Sequence, residues 1–324
     1  MAYAAGGALA AEVSKAGGLG FIGCGYTDAS WGKREIDVAC KSFQLSASAT
    51  STTLLPIGIG YITWYLTEHP ELLEEHLEYT KQTPLAAFWF AYGDCRRFMA
   101  MVRDKSPQSK IVVQVNTVKE ASDAADQGAD AIVVQGHEAG GHGPVLNSST
   151  IILVPEVVSM LQSRYPNRSI PVLAAGGIAN GRGLLAALAL GASGVVMGTR
   201  FMAAEESVYH INAKKAVVEA KDGGTTTMRT EMLDTLRRSN WPQGYNGRVL
   251  RNAITDAMER GESLRALQKL YDDAKASNDA KGLAIFAGSN VGLVNEILPA
   301  GQIIANTMRE ANQAYHNLSD MLDV

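Results

Sequence analysis

Up to Gly198 the chain repeats one unit: a helix-prone segment, a break of small residues, then a short apolar run ending in glycine. It is spelled EVSKAGGLGFIGCG (12–25), ASDAADQGADAIVVQG (121–136) and LLAALALGASGVVMG (184–198). Glycine just past a helix takes the left-handed conformation that closes it. A strand without polar alternation has to be covered on both faces. Helix, stop and doubly covered strand in repetition describe a parallel α/β fold. LLPIGIGY (54–61), PLAAFWFA (84–91), KIVVQVN (110–116) and IPVLAAGG (170–177) add strands of the same kind. Start signals mark the helices between them. Thr117 with Glu120 forms a capping box, Asn180 caps the helix that Gly191 closes, and Pro70 and Pro155 suit the first turns of their helices.

Seven strands follow, near 20–24, 54–60, 85–91, 111–116, 131–135, 171–175 and 194–198. The expected fold is α/β, a (β/α)8 TIM barrel lacking its first strand, which would lie before Met1. An open doubly wound sheet competes, but no GxGxxG opens a helix after a strand. After Phe201 the rhythm changes. Residues 203–282 are helix-prone and charged, with a turn-rich interruption NWPQGYNGR (240–248). AIFAGSNVGLV (284–294) is apolar again, and a last helix is expected over 296–317. The expected division is a barrel built from 1–202 and 283–324, with a helical insertion over 203–282 after the last strand.

Composition narrows the chemistry. The 29 basic and 33 acidic side chains give a formal charge of −4, which argues against a nucleic-acid or polybasic membrane partner. Cys24, Cys40 and Cys95 are too scattered for a zinc pattern or a disulfide framework. No apolar run approaches the roughly 18 residues that read as a spanning helix, and no secretory leader opens the chain, so the cytoplasm is the expected location.

In a barrel the chemistry sits at the carboxyl ends of the strands. The most loaded of these is AIVVQGHEAGGHGP (131–144), which carries His137, Glu138, His142 and a run of glycines. AAGGIANGRG (174–183) and MGTRF (197–201) present Gly176, Gly177, Gly198 and Thr199 beside helix starts, where backbone N–H groups neutralise a phosphate. Gln114 and Gln135 are polar residues in apolar strands and need partners; a flavin's pyrimidine edge suits them, as does neighbouring backbone. Histidine is the side chain that exchanges protons near neutral pH, which singles out His137 and His142. His69, His76, His210 and His316 are read as solvated, Glu138 as structural, and Cys24 as a packing residue facing the barrel mouth. Metal chemistry is not expected, since no Cys/His spacing or HExxH occurs.

Together QGHEAGGHGP, LAAGGIANGRG, GVVMGTRF, GGALAAEVSKAGGLGFIG and RTEMLDTLRRSNWPQGYNGR resemble nitronate monooxygenases (2-nitropropane dioxygenases) over essentially the whole chain. The resemblance implies an FMN-binding TIM barrel that oxidises alkyl nitronates with dioxygen to carbonyl compounds and nitrite. It implies His142, in the AGGH element, as general base for neutral nitroalkanes, and makes His137 a bystander. It places flavin contacts at Gly60, Gln114, Gln135, Gly140, Gly141, Gly176, Gly177, Gly198 and Thr199. The chain departs from the family at its start, where a first strand normally ends in a Pro-Met pair and Met1 stands at that methionine; weaker FMN retention is therefore expected. The partners implied are a small nitronate or nitroalkane and dioxygen, with room for a homodimer. Two alternatives remain: an FMN-dependent enoyl-acyl-carrier-protein reductase using NAD(P)H, which shares a similar EAGGH loop, and a catalytically silent barrel.

Overall fold

The computed structural model describes residues 4–45 and 54–322, so Met1, where the family comparison placed the departure, lies outside the described residues. The apolar runs form the expected parallel strands: β1 (Gly20–Gly23), β2 (Leu55–Ile62), β3 (Leu85–Ala91), β4 (Lys110–Val115), β5 (Ala131–Gln135), β7 (Val172–Ala175) and β8 (Gly194–Val196). They pair in the order β1-β2-β3-β4-β5-β7-β8 as one curled sheet. The register sets Gly23 beside Gly60, Ala91 beside Gln114 and Gln135 beside Ala175, with Gln114 beside Val133, two residues before Gln135. β1 and β8 are the sheet's two ends. The helix layer continues across the gap between them: the last helix, Ala300–Leu322, packs against both Gly181–Ala189 and Gly7–Lys15.

Two apolar cores follow from strands covered on both faces. Outside the sheet, residues such as Ile22, Ile57, Ile59, Phe88, Phe90, Ile111 and Ile132 are buried against the helices. Inside it, Ala87, Val112, Val133 and Ala175 pack with Phe21, Trp89 and Leu173. Cys24 belongs to the outer core, beside the helix Ala29–Ser42, and does not face the mouth; burial pushes its thiol up to about 12, so it packs as expected but on the other side of the sheet.

The insertion is not helix alone. It supplies β9 (Thr227–Thr230) and β10 (Tyr245–Leu250), and the catalytic-loop candidate itself supplies β6 (Gly141–Pro144). These form a second, antiparallel sheet in the order β6-β10-β9. β10 emerges from NWPQGYNGR, whose turn residues end at the left-handed Gly244 and whose remainder pairs directly with the histidine loop.

Four local expectations are corrected. Pro155 is not a first-turn proline: its helix, Thr150–Arg164, starts more than a turn earlier, because the Glu138 carboxylate accepts the Thr150 N–H at 3.0 Å and the Thr150 hydroxyl at 3.2 Å. The last helix runs over Ala300–Leu322 and not 296–317. His76 is fully buried and not solvated. Its Nε2 lies 3.1 Å from the Ala29 carbonyl and its Nδ1 2.8 Å from the Tyr61 hydroxyl. A carbonyl only accepts, so Nε2 carries the proton and the tyrosine donates to Nδ1. His210 and His316 are exposed as expected, and His69 is half-buried beside Tyr65. The Thr117 cap forms, with Thr117 Oγ1 accepting the Glu120 N–H, but the Glu120 carboxylate reaches the Asn116 N–H and not that of Thr117. Asn180 caps its helix through the Gly183 N–H.

Candidate active site

A cavity of about 1430 Å³ runs through the curled sheet, from Leu54, Asp130 and Pro171 at the amino ends of its strands to Trp241 and Phe286 beyond their carboxyl ends. Gly60, Gln114, Gln135, Gly140, Gly141, His142, Gly176, Gly177, Gly198 and Thr199 all line it, from five strands and the loops that follow them. His137 does not. A parallel sheet delivers the carboxyl ends of all its strands to one side, which is why residues so far apart in sequence meet here.

Local chemistry fixes each group. Gln135 is buried; its side-chain oxygen accepts from Asn116 Nδ2 at 3.0 Å, so what it offers a ligand is its NH2. Gln114 Nε2 donates to the Tyr92 hydroxyl at 2.9 Å. That hydroxyl lies 2.9 Å from the His142 carbonyl and 3.3 Å from Gln135 Oε1; with one proton to give, it favours the shorter contact. Gly176 and Gly177 have φ of +105° and +76°, a backbone that side chains resist, and this turns the β7 loop back over the cavity. Gly140 has a different reason. A Cβ there would lie 2.4 Å from the Gly288 nitrogen, so its small size serves packing against the 287–288 segment. Thr199 Oγ1 accepts the Gly288 N–H at 2.9 Å, tying the same segment to the end of β8.

The histidine loop is held by two arginines. Arg229 donates to the carbonyls of His137, Gly143 and Asn246 and to Asn246 Oδ1; Arg248 donates to His137 O as well. Burial lowers both guanidinium pKa values, that of Arg229 to about 10. Glu138, through Thr150, anchors the other end of the loop.

His142 is gripped by segment 234–241 and by Phe286. Its ring stacks on Trp241 with centroids 3.7 Å apart and planes at 8°, and Phe286 approaches a second side at 5.1 Å. Nε2 lies 2.9 Å from each oxygen of Asp234, and the two residues are 9 % and 7 % exposed. Burial lowers the His142 pKa; the Asp234 carboxylate pulls it back, and Arg237 and Arg229 lower it further. Burial thus favours the neutral ring. Facing a carboxylate, the neutral ring presents Nε2–H, which leaves Nδ1 as its basic nitrogen. Asp234, Trp241, Phe286 and Tyr92 were not among the residues anticipated from sequence. Asp234 and Trp241 lie within the quoted RTEMLDTLRRSNWPQGYNGR, but nothing in that stretch assigns them to a histidine 92 positions earlier.

Residues 1–310 match the family model for nitronate monooxygenase. A Neurospora crassa nitronate monooxygenase is 35 % identical over 95 % of this chain and 86 % of its own length. The nitronate monooxygenase npaC of Metarhizium robertsii is 36 % identical over 94 % of this chain and 87 % of its own. Among solved structures, FabK from Thermotoga maritima superposes with a TM-score of 0.78 at 28 % identity, covering 99 % of this chain and 93 % of that one. Nitroalkane oxidase from Streptomyces ansochromogenes gives 0.75 at 25 %, covering 98 % and 96 %. The chain belongs to the nitronate monooxygenase family of flavin-dependent oxidoreductases.

Proposed function

We propose that this member of the nitronate monooxygenase family binds FMN in the barrel cavity and oxidises alkyl nitronates with dioxygen to carbonyl compounds and nitrite. His142 acts as general base when the substrate is a neutral nitroalkane. The observation that carries this reading is a buried histidine, with one nitrogen engaged by Asp234, on the wall of the cavity that gathers the glutamines and glycines.

The residues fit the cofactor. Small-ligand pockets run from roughly 300 to 1,000 Å³, and the cavity of about 1430 Å³ exceeds that range. Gly60 keeps the β2 wall open, since even a Cβ there would come no closer than 3.7 Å to its neighbours. Gln114 and Gln135 offer amides to a polar ring edge, and the Asn290 side-chain oxygen is buried on the cavity wall without a partner. Gly176, Gly177, Gly198 and Thr199 would hold the phosphate end through backbone groups. When bound, the flavin supplies the electron-accepting chemistry that links nitronate oxidation to dioxygen.

The protein's own residues handle the proton. For a neutral nitroalkane, the α-C–H proton passes to Nδ1 of His142, and the electron pair of that bond moves onto the nitro oxygens. The resulting imidazolium is compensated by Asp234, and the new nitronate shares the cavity with the Arg237 guanidinium. Trp241 and Phe286 keep the ring in place and exclude water from two sides.

The test is the visible spectrum of the purified protein followed by oxygen uptake with propionate 3-nitronate. Flavin absorbance and nitronate-dependent uptake without NADH are expected. Protein that neither carries nor takes up FMN would overturn the proposal, as would NADH oxidation that depends on an enoyl thioester. His142→Asn should lower turnover of a neutral nitroalkane by about 10²–10⁴-fold, the usual yield of acid–base catalysis, and spare preformed nitronate.

A further inference from the structure

The Asp234–His142 contact joins the insertion to the barrel across 92 residues of sequence. A staple between the two parts would explain its presence, but that staple already exists. β6 and β10 pair over four positions, with His142 opposite Gly247, and Arg229 makes two further hydrogen bonds across the same junction, to the carbonyls of His137 and Gly143. What Asp234 adds is directed at the ring, with the Arg237 guanidinium 3.8 Å from its Oδ1. Both carboxylate oxygens sit 2.9 Å from a single nitrogen, and the Ser239 hydroxyl fixes one of them at 3.0 Å. Trp241, on the same segment as Ser239, lies flat on the face of the ring. Segment 232–241 therefore constrains the imidazole in its plane and along its edge.

The geometry points to Asp234 as the positioning residue of the proton transfer: it locks His142 in the Nε2–H tautomer, so that Nδ1 is the basic nitrogen, and it stabilises the imidazolium formed on abstraction. This rests on His142 being the base. A carboxylate serves this purpose because it can accept a proton-bearing nitrogen but cannot donate to a bare one. An amide in its place could do either, and the ring would divide between two tautomers, only one of which leaves Nδ1 unprotonated. The step balances within the site. The α-carbon loses a proton to Nδ1, Nε2 keeps its own, and the carboxylate stays ionised beside the new cation.

The experiment uses the flavin-loaded enzyme and pairs a neutral nitroalkane with its preformed nitronate. Asp234→Asn is expected to lower kcat/KM for the neutral substrate by roughly 10²–10⁴-fold, by comparison with the effect of the same exchange in hydrolase triads, and to change the nitronate reaction less than tenfold. Asp234→Glu, which keeps the charge at the cost of a longer side chain, should recover part of the lost rate. If Asp234 only fills space, the isosteric Asn variant should outperform Glu, and both substrates should suffer alike; either result overturns the assignment. ¹⁵N spectra of histidine-labelled protein, with the His142 resonances identified by their loss in His142→Asn, read the ring directly. Protonated Nε2 in the wild type and a mixed ring in Asp234→Asn are expected, and an Nδ1–H tautomer in the wild type refutes the assignment whatever the activities. If His142→Asn leaves neutral-substrate turnover intact, the base reading beneath it falls. If His142→Asn is crippled and Asp234→Asn is not, the positioning role alone falls.

Discussion

Between pH 7 and pH 4 the protein should lose stability through His76 in particular. Buried between β2 and its helix, the ring is neutral because Tyr61 donates to Nδ1 and Nε2 donates to the Ala29 carbonyl. Burial pushes its pKa from 6.5 down to about 4, with the Ala29 hydrogen bond opposing the shift and the Lys33 charge adding to it. The native ring thus resists a proton that the unfolded ring accepts readily. The stabilisation is fully present above pH 6.5 and is lost as the pH falls from there toward 4. A difference of 2.5 units between 6.5 and about 4, at about 1.36 kcal/mol each, amounts to about 3 kcal/mol. Against a total stability of roughly 5–15 kcal/mol this is a large fraction. Carboxylates titrate in the same range, so the comparison needs a partner protein. Tyr61→Phe combined with His76→Leu removes ring and hydroxyl together and leaves no orphaned tyrosine. Urea midpoints of both proteins, measured at half-unit steps from pH 7 to pH 4, should diverge in slope, the wild type falling by about 3 kcal/mol more. Parallel curves would refute the reasoning, because they would mean that His76 takes its proton as easily folded as unfolded.

Other expectations follow from the same contacts. Since the His142 pKa is lowered, turnover of a neutral nitroalkane should hold to a pH below the 6.5 of free imidazole and fall only beneath it; a midpoint above 6.5 in the kcat/KM profile would contradict the burial argument. Arg229→Leu leaves the carbonyls of His137, Gly143 and Asn246 without this donor, and at about 1 kcal/mol or more per lost hydrogen bond should lower stability by about 3 kcal/mol, visible as a drop in Tm. Gly140→Ala places a methyl 2.4 Å from the Gly288 nitrogen and should cost about 1–3 kcal/mol by overpacking. An unchanged Tm would show that the 287–288 segment yields freely.

What the sequence disclosed was local or repetitive. Each glycine-terminated unit announces its own helix stop and strand, so the seven strands fall within a residue or two of expectation. The rule that barrels work at their strand ends then brings ten separated residues to one cavity. His76, expected to be solvated, carried a signal for burial all the same: Leu72, Leu73, His76 and Leu77 form one helical stripe, and all four are buried. The partners of His142 were not. Trp241 sits in a stretch rich in turn residues, and Asp234 in one rich in charge, so each reads as surface until β10 pairs with β6 and carries both to the barrel. A three-residue shift of that pairing would place other side chains against the ring. Tertiary register, which no local pattern encodes, selects them.

The site thereby divides between two parts of the chain, and the division can be tested at Trp241. On the proposed reading, the strand ends of the barrel hold the flavin, while segment 232–241 holds the ring of His142 and sets Arg237 in the substrate's part of the cavity. Trp241 contributes a stacked face at 3.7 Å, and such pairs are worth about 0.5–1.5 kcal/mol beyond their buried area. Trp241→Leu keeps an apolar wall but frees the ring to rotate about its Asp234 contact. If that stacking energy is what holds the ring in its reactive orientation, losing it should reduce proton abstraction from a neutral nitroalkane by roughly two- to tenfold, with flavin content and oxidation of preformed nitronate nearly unchanged. Loss of flavin in step with activity would instead make Trp241 part of the cofactor's binding surface, and the separation between barrel and insertion would fail.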